Sequence, residues 1–333
     1  MPSPHVILAS VAFLAALGVT LVAAALFADR LDRVGTRLGF TEALLGVLTA
    51  LAADGPELAS SIAAIVRGER DVGLGVVLGS NAFNLAAMVG VGALVAGSVR
   101  PKRSSLAIEA TVALALLGVT AALLLAGLPP FVALVLVVAV MLPYVGLLVL
   151  GDVRVHLLPL PGRVHLVLRD ALGGGFSHPR HVSHTESWWK PALQMALALV
   201  AIIAGATAMV DTSLIVADSI GLSHALVGIL VLAVITSLPN MSTAIRLARQ
   251  GRGDATVSET VNSNNLNLVG GIVIPAAILG LGDVPGTVSG DLLWLALLSV
   301  GALLALAAPR GMGRLAGSVL VAGYLAFVVA HVV

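Results

Sequence analysis

Two carboxylic acids stand three residues apart inside an apolar segment of the chain. Asp54 and Glu57 lie within residues 40–66, a stretch long enough to cross a bilayer as a helix, and their spacing places both on one helical face. Ionisable groups at membrane depth are costly and usually face an aqueous cavity or an ion path. A charge near a helix end that reaches water is the simpler alternative, but the pairing of two acids favours an ion site.

A proline between the two acids adds further ligands. Pro56 lacks a backbone N–H, which leaves the carbonyl of Ala52 without its usual helical partner, and Pro239 should do the same for Ile235. Freed carbonyls, carboxylates, hydroxyls and amides supply oxygen ligands, which suit hard cations such as Ca²⁺ or Na⁺. The chain has no Cys, and these segments contain no His, so soft transition metals are disfavoured.

The segment around these acids is duplicated. Residues 51–84 and 235–267 share polar residues and helix breakers in register, at an offset of 183. The matching pairs are Pro56 with Pro239, Gly68 with Gly251, Asp71 with Asp254, Ser80 with Ser263, Asn81 with Asn264, and Asn84 with Asn267. In each copy a Ser and an Asn stand four residues apart on one helical face, either as ion ligands or as residues that allow close helix packing. Duplicated segments of this kind are typical of secondary transporters.

Composition indicates an integral membrane protein. The 333 residues are 59% hydrophobic and 11% charged, which leaves too little polar surface for a soluble domain. Transmembrane helices are predicted at residues 6–28, 40–66, 72–97, 105–127, 130–150, 191–210, 224–248, 256–281, 288–308 and 313–333. Of the 18 Lys and Arg residues, 16 fall in the loops after the odd-numbered segments. The side of the cell (plasma) membrane that carries these loops is therefore predicted to be cytoplasmic, and both termini are predicted to be extracytoplasmic.

The two copies are predicted to be inverted in the membrane, because five segments per copy is an odd number. The predicted fold is an all-α membrane protein of ten transmembrane helices, arranged as two inverted five-helix repeats. The first repeat takes residues 1–150 and the second residues 191–333, joined by a polar cytoplasmic linker at 151–190.

Other polar features have simple explanations. The linker contains five histidines, at positions His156, His165, His178, His181 and His184. Their irregular spacing favours a solvated linker over a metal-sensing cluster. The first segment could be a cleaved signal peptide, but its arginines follow the apolar core instead of preceding it. The net charge of +1 gives no indication of nucleic acid, so the expected partners are inorganic cations and the lipid bilayer.

The duplicated segments resemble a known family. The run PELASSIAAIVRGERDVGLGVVLGSNAFN is similar to the first alpha repeat of the calcium/cation antiporter superfamily, which includes sodium/calcium and cation/proton exchangers. TSLPNMSTAIRLARQGRGD followed by NSNNLN is similar to the second repeat. The resemblance implies ion binding at mid-membrane between the second, third, seventh and eighth helices. The ligand positions that it implies are Asp54, Glu57, Ser80, Asn84, Thr236, Ser237, Asn240, Ser263 and Asn267, with Glu57 as the binding acid of the first repeat.

The chain departs from the family pattern at the second acid. The resemblance places that acid at Asn240, which carries no charge, whereas the first repeat has gained Asp54. Glu259 lies four residues before Ser263 on the same helical face, and it either supplies the missing charge or reaches the cytoplasmic interface. Two nearby acids disfavour simultaneous ionisation, which favours proton coupling.

These observations predict a secondary active antiporter that exchanges Ca²⁺ or a related cation for Na⁺ or H⁺ by alternating access. Neither a cofactor nor an enzymatic activity is expected, and the cations are the transported substrates. One alternative, motivated by Asn240, is a monovalent cation/proton exchanger or a non-transporting relative with a degenerate second site. Another is an intramembrane aspartyl protease, since residues 280–283 spell GLGD, but no Tyr-Asp partner occurs on another segment and Asp283 fits a loop.

Overall fold

The computed structural model of the protein describes residues 3–37, 48, 50–155, 161, 162, 166, 168, 170, 189–280 and 282–332, which are almost all helical. In chain order the helices are α1 (Pro4–Arg37), α2 (Gly55–Val66), α3 (Arg70–Asn84, continued by Leu85–Gly90 and Val91–Ala96), α4 (Arg103–Leu125), α5 (Pro130–Val155), α6 (Trp189–Ile220), α7 (His224–Leu226, continued by Val227–Leu232 and Ala233–Arg249), α8 (Gly253–Leu268, continued by Val269–Val273 and Ile274–Leu279), α9 (Val288–Ala307) and α10 (Arg314–Val332). The middle parts of α3, α7 and α8 are π-helical turns. The linker histidines and most of the predicted linker lie outside the described residues.

Membrane-spanning length is a property of most of these helices. Among the described residues, α1, α3, α4, α5, α6, α9 and α10 are each long and apolar enough to cross a bilayer, and α7 is an eighth if its two bent halves form one span. A short antiparallel pair joins β1 (Ser98–Val99), before α4, to β2 (Met312–Gly313), before α10. Helix α2 is described over 12 residues and is shorter than a span.

Helices α1 and α6 extend well beyond the predicted segments, which end at residues 28 and 210. They have 34 and 32 residues, so at 1.5 Å per residue each is about 50 Å long and exceeds the bilayer core of about 30 Å. Apolarity marks the part of a helix that lies in lipid, whereas backbone hydrogen bonding continues until the chain turns. Helix α6 ends at Ile220, and the residue that follows is Gly221, whose φ of 71° is favourable for glycine.

The centre of the molecule is α3, in which most residues between Val72 and Ala93 are buried. The outer helices instead expose large apolar side chains, such as Leu8 (68% exposed), Phe131 (72%) and Leu315 (82%). Lipid solvates these side chains at no cost, so this surface is that of a membrane protein. Helices α1 and α6 pack against each other along their length, and both contact α2.

Glycines allow α3 to approach α7 closely. A Cβ at Gly79 would lie 2.8 Å from Ile229 Cα, and one at Gly75 would lie 3.1 Å from Ile229 N. Real Cβ atoms essentially never come as close as the first of these distances, so only glycine fits there. This contact brings the π-helical part of α7 against the middle of α3.

Both prolines of the repeat lie at helix interruptions. On the α2 side a helical stretch at residues 50–53 ends in a turn at Asp54, and α2 begins at Gly55 with Pro56 in its first turn. On the α7 side the axis bends by 47° between Thr236 and Leu238, within one turn before Pro239. The interruptions place the polar residues of α2 and α7 inside the bundle.

Candidate cation-binding site

The interruptions of α2 and α7 bring two acids and an amide together. Asn240 Nδ2 donates to Asp54 Oδ1 at 2.6 Å and reaches Glu57 Oε1 at 3.4 Å. Ser237, at the bend of α7, donates its hydroxyl to Glu57 Oε1 at 2.6 Å. Glu57 lies in the first turn of α2, where free backbone N–H groups and the helix dipole favour negative charge.

Helices α3 and α8 complete the cluster from the other side. Ser263 Oγ donates to Asp54 Oδ1 at 2.6 Å, and Asn267 Nδ2 donates to Glu57 Oε2. Asn84 Nδ2 donates in turn to Ser263 Oγ at 3.1 Å. Each acid thus receives hydrogen bonds from both α7 and α8, although it lies about 200 residues away from them in the chain.

Eight of the ten predicted ligands form one buried network of side-chain hydrogen bonds. They are Asp54, Glu57, Ser80, Asn84, Ser237, Asn240, Ser263 and Asn267. The hydroxyl of Thr236 is buried nearby but donates to the carbonyls of its own helix at Leu232 and Ala233. The role of this set as cation ligands stays a prediction.

Glu259 lies outside the network. It is half-buried one turn before Ser263, and among the described residues it makes no hydrogen bond to the cluster. It does interact electrostatically with Arg246 of α7 and with Asp54. Both predicted roles of Glu259, as a compensating charge and as an interfacial acid, therefore stay open.

Several oxygen atoms of the cluster are free to act as cation ligands. Within the cluster, four buried side-chain oxygens have no hydrogen-bond partner among the described residues, namely Asp54 Oδ2, Asn84 Oδ1, Asn240 Oδ1 and Asn267 Oδ1. Buried acceptors without a donor are costly, and carboxylate and amide oxygens are the ligands that Ca²⁺ and Na⁺ prefer. The described residues contain no group of three His, Cys, Asp or Glu side chains placed to share an ion, so a cation here would rely on two carboxylates and neutral oxygens.

Two further asparagines, which were not predicted as ligands, tie the repeats together. Asn81 Nδ2 donates to the backbone carbonyl of Asn264, and Asn264 Nδ2 donates to that of Asn81, both at 3.1 Å. Their side-chain oxygens also accept from Asn267 and Asn84 respectively. The signal was present in the sequence, because these residues match at the repeat offset. Their reciprocal bonds relate α3 and α8 by a local two-fold symmetry.

Comparison with known proteins places this arrangement in a family. The sequence profile of the family described as Sodium/calcium exchanger protein matches residues 8–150 and 190–333. The chain belongs to the sodium/calcium exchanger family. The match confirms the predicted resemblance, and the two matched stretches hold the two halves of the cluster.

The curated relatives of this exchanger-family chain match it over short segments. Sodium/potassium/calcium exchanger 1 of Homo sapiens is 37% identical over 79 residues, which cover 22% of this chain and 7% of that protein. Its counterpart in Bos taurus is 33% identical over 126 residues, which cover 35% of this chain and 10% of that protein. The match therefore spans a small part of the length of these relatives.

Solved structures match over nearly the whole chain. Two structures of the sodium-calcium exchanger NCX_Mj, soaked with Na⁺ and Sr²⁺, have TM-scores of 0.57 and 0.58. Each match covers 98% of this chain and 99% of the other, at 18% sequence identity. At this identity the match shows a shared fold and nothing about the ions.

Proposed function

We propose that the chain is a secondary active antiporter that exchanges Ca²⁺ or a related cation for Na⁺ or H⁺. The observation that carries the proposal is the buried pair Asp54 and Glu57, which receives hydrogen bonds from hydroxyl and amide groups and forms no ion pair with a basic side chain among the described residues. Two negative charges balance either one divalent or two monovalent cations. An exchanger requires this, because the same site must bind the two kinds of cation in turn. The family, and the names of the relatives as sodium, potassium and calcium exchangers, support the same class of substrate.

The side-chain amides of Asn240 and Asn267 can each take two orientations in the cluster, one with the N–H and one with the oxygen facing the carboxylates. Each amide N–H donates to a carboxylate, while the oxygen of the same amide has no partner among the described residues. Rotation of an amide by about 180° replaces its donor by an acceptor. The same side chain can thus satisfy a carboxylate when no cation is bound and ligate the cation when one is bound.

We propose alternating access around this cluster, within ten transmembrane helices arranged as two inverted five-helix repeats. The reciprocal bonds of Asn81 and Asn264 support the inverted relation, and the shared fold with NCX_Mj supports the architecture. The long pair α1 and α6 contacts the rest mainly through α2, which suits it to move as a gate beside a fixed site. The distribution of Lys and Arg supports extracytoplasmic termini in the plasma membrane.

Flux measurements in liposomes test this function. Ca²⁺ uptake should be driven by an outward Na⁺ or proton gradient, and Glu57→Gln should reduce it by about 100-fold or more, because losing one of two charged ligands costs about 3 kcal/mol. Asp291→Asn is the matched control, since Asp291 is a buried acid on α9 that bonds His331 away from the cluster. Absence of uptake under both gradients would refute calcium exchange, and uptake that survives Glu57→Gln would refute the site.

Asn240 favours a second candidate. Because it leaves the second repeat without the family's acid, the cluster suits monovalent cation/proton exchange as well. Na⁺ efflux driven by a proton gradient in the absence of Ca²⁺ would support this alternative. A protein that carries neither ion would be a non-transporting relative.

A further inference from the structure

A stripe of polar side chains runs along one face of α8, apart from the residues that belong to the cation cluster. Asp254, Ser258 and Asn262 follow one another at four-residue spacing, so they form a row from the first turn of the helix into the membrane. Ser258 lies about 8 Å along the axis from the helix start. This row contacts α4 and α5, whereas Ser263 and Asn267 contact the acids of α2.

Two of the three residues of the stripe occur in the second repeat alone, whereas Asp254 matches Asp71. At the repeat offset, Ser258 and Asn262 match Gly75 and Gly79 of α3. Those glycines serve the close contact with Ile229 of α7, so at these two positions the first repeat has no side chain. Ser258 and Asn262 are therefore not a remnant of the duplicated ion site and need an explanation of their own.

The stripe meets a buried acid on α4. Glu109 is 5% exposed, and one of its oxygens accepts a hydrogen bond from the Ser258 hydroxyl. Its other oxygen, Oε2, is buried without a partner among the described residues. One turn further along the stripe, the Tyr144 hydroxyl of α5 donates to Asn262 Oδ1 at 2.9 Å.

The charged groups around Glu109 do not compensate a negative charge. Helix α8 presents Asp254 to Glu109, whereas its Glu259 shares the face of Ser263, and α5 presents the phenol of Tyr144. Helix α9 has one titratable residue, Asp291, near its start at the opposite end of the contact, and α4 itself has Arg103 in its first turn. Within the described part of the chain, Glu109 makes no ion pair with a basic residue. An ionised Glu109 would be an uncompensated buried charge, whereas a proton would neutralise it.

We propose that Glu109 is a proton-binding site, separate from the cation cluster, that makes exchange depend on pH. Its carboxylate binds one proton to become a neutral acid and releases that proton to water at the aqueous start of α8, along Ser258 and Asp254. Loss of the proton leaves a charge in the contact between α4 and α8, and α8 also carries ligands of the cluster. The pH dependence of transport rests on the proposed antiport, whereas proton binding does not.

Infrared difference spectroscopy of the purified protein tests the binding step without transport. A change from acidic to alkaline pH should remove a protonated-carboxyl C=O band, and this band should be absent from Glu109→Gln but present in Asp291→Asn. In liposomes, Glu109→Gln should lose the pH dependence of cation exchange. Ser258→Ala, which keeps the acid but removes its hydrogen-bond donor, should shift the spectroscopic titration and the transport profile together toward alkaline pH.

Two results separate this proposal from the proposed function. An infrared band that persists unchanged in Glu109→Gln would overturn the proton site, even if the protein exchanges cations. A band that is lost in Glu109→Gln, in a protein that shows no flux, would support the proton site and overturn the antiporter. Exchange by Glu109→Gln with the same pH profile as the wild type would overturn the coupling.

Discussion

Replacement of Asn240 by Asp tests the charge balance of the cluster. Asn240 Nδ2 lies 2.6 Å from Asp54 Oδ1 and 3.4 Å from Glu57 Oε1, so in Asn240→Asp a carboxylate oxygen takes the place of a donor between two acids. Unit charges about 4 Å apart repel by about 4 kcal/mol at an effective dielectric constant of about 20. The new charge faces two others, which sets a ceiling of about 8 kcal/mol, and proton uptake by one carboxyl lowers the actual cost.

Thermal unfolding in detergent, with Ca²⁺ or with a chelator, measures this effect. In chelator, Asn240→Asp should unfold at a lower temperature than the wild type, because the repulsion is unrelieved. Ca²⁺ at about 100 times its Kd stabilises any binding-competent protein by about 2.7 kcal/mol, and the gain of the variant should exceed that of the wild type.

Asn265→Asp is the matched control for this experiment. Asn265 is a buried asparagine on α8, but it lines a cavity between α3, α4, α8 and α9 and makes no hydrogen bond to either acid of the cluster. A charge there should destabilise the protein with or without Ca²⁺. Unfolding of Asn240→Asp at the wild-type temperature in chelator, or equal rescue of Asn265→Asp by Ca²⁺, would show that charge repulsion in the cluster is not the cause.

Two further predictions concern packing between the repeats. Gly79→Ala should cost about 1–3 kcal/mol, because its Cβ would lie 2.8 Å from Ile229 Cα, whereas Gly18→Ala, with nothing within 4 Å, should be tolerated in the same unfolding assay. Equal stability of both variants would contradict the close contact of α3 with α7. Asn81→Ala and Asn264→Ala should show a coupling of about 1 kcal/mol in a double-mutant cycle, because their hydrogen bonds are reciprocal. Additive effects would show that the two bonds are independent.

Much of the candidate site was predictable because its signals are local. A proline removes a backbone donor wherever it stands in a helix, so Pro56 and Pro239 marked the interruptions of α2 and α7. Four-residue spacing places Ser80 with Asn84 on one face regardless of tertiary contacts. The length of the apolar segments similarly indicated the helices in lipid. It gave no information about the ends of α1 and α6, because these helices continue past their apolar segments.

The amino-acid sequence specifies a helical membrane protein with a duplicated polar segment, because segment length, apolarity and helix breakers act on neighbouring residues of the chain. Tertiary packing was needed to show that Asn240 and Ser263 donate to Asp54, that Asn81 and Asn264 bond reciprocally, and that Glu109 contacts the polar stripe of α8. Helical periodicity specifies which residues share a face but not which helix that face contacts. Partners up to 210 residues apart are selected by packing, and close approach at glycines fixes that packing.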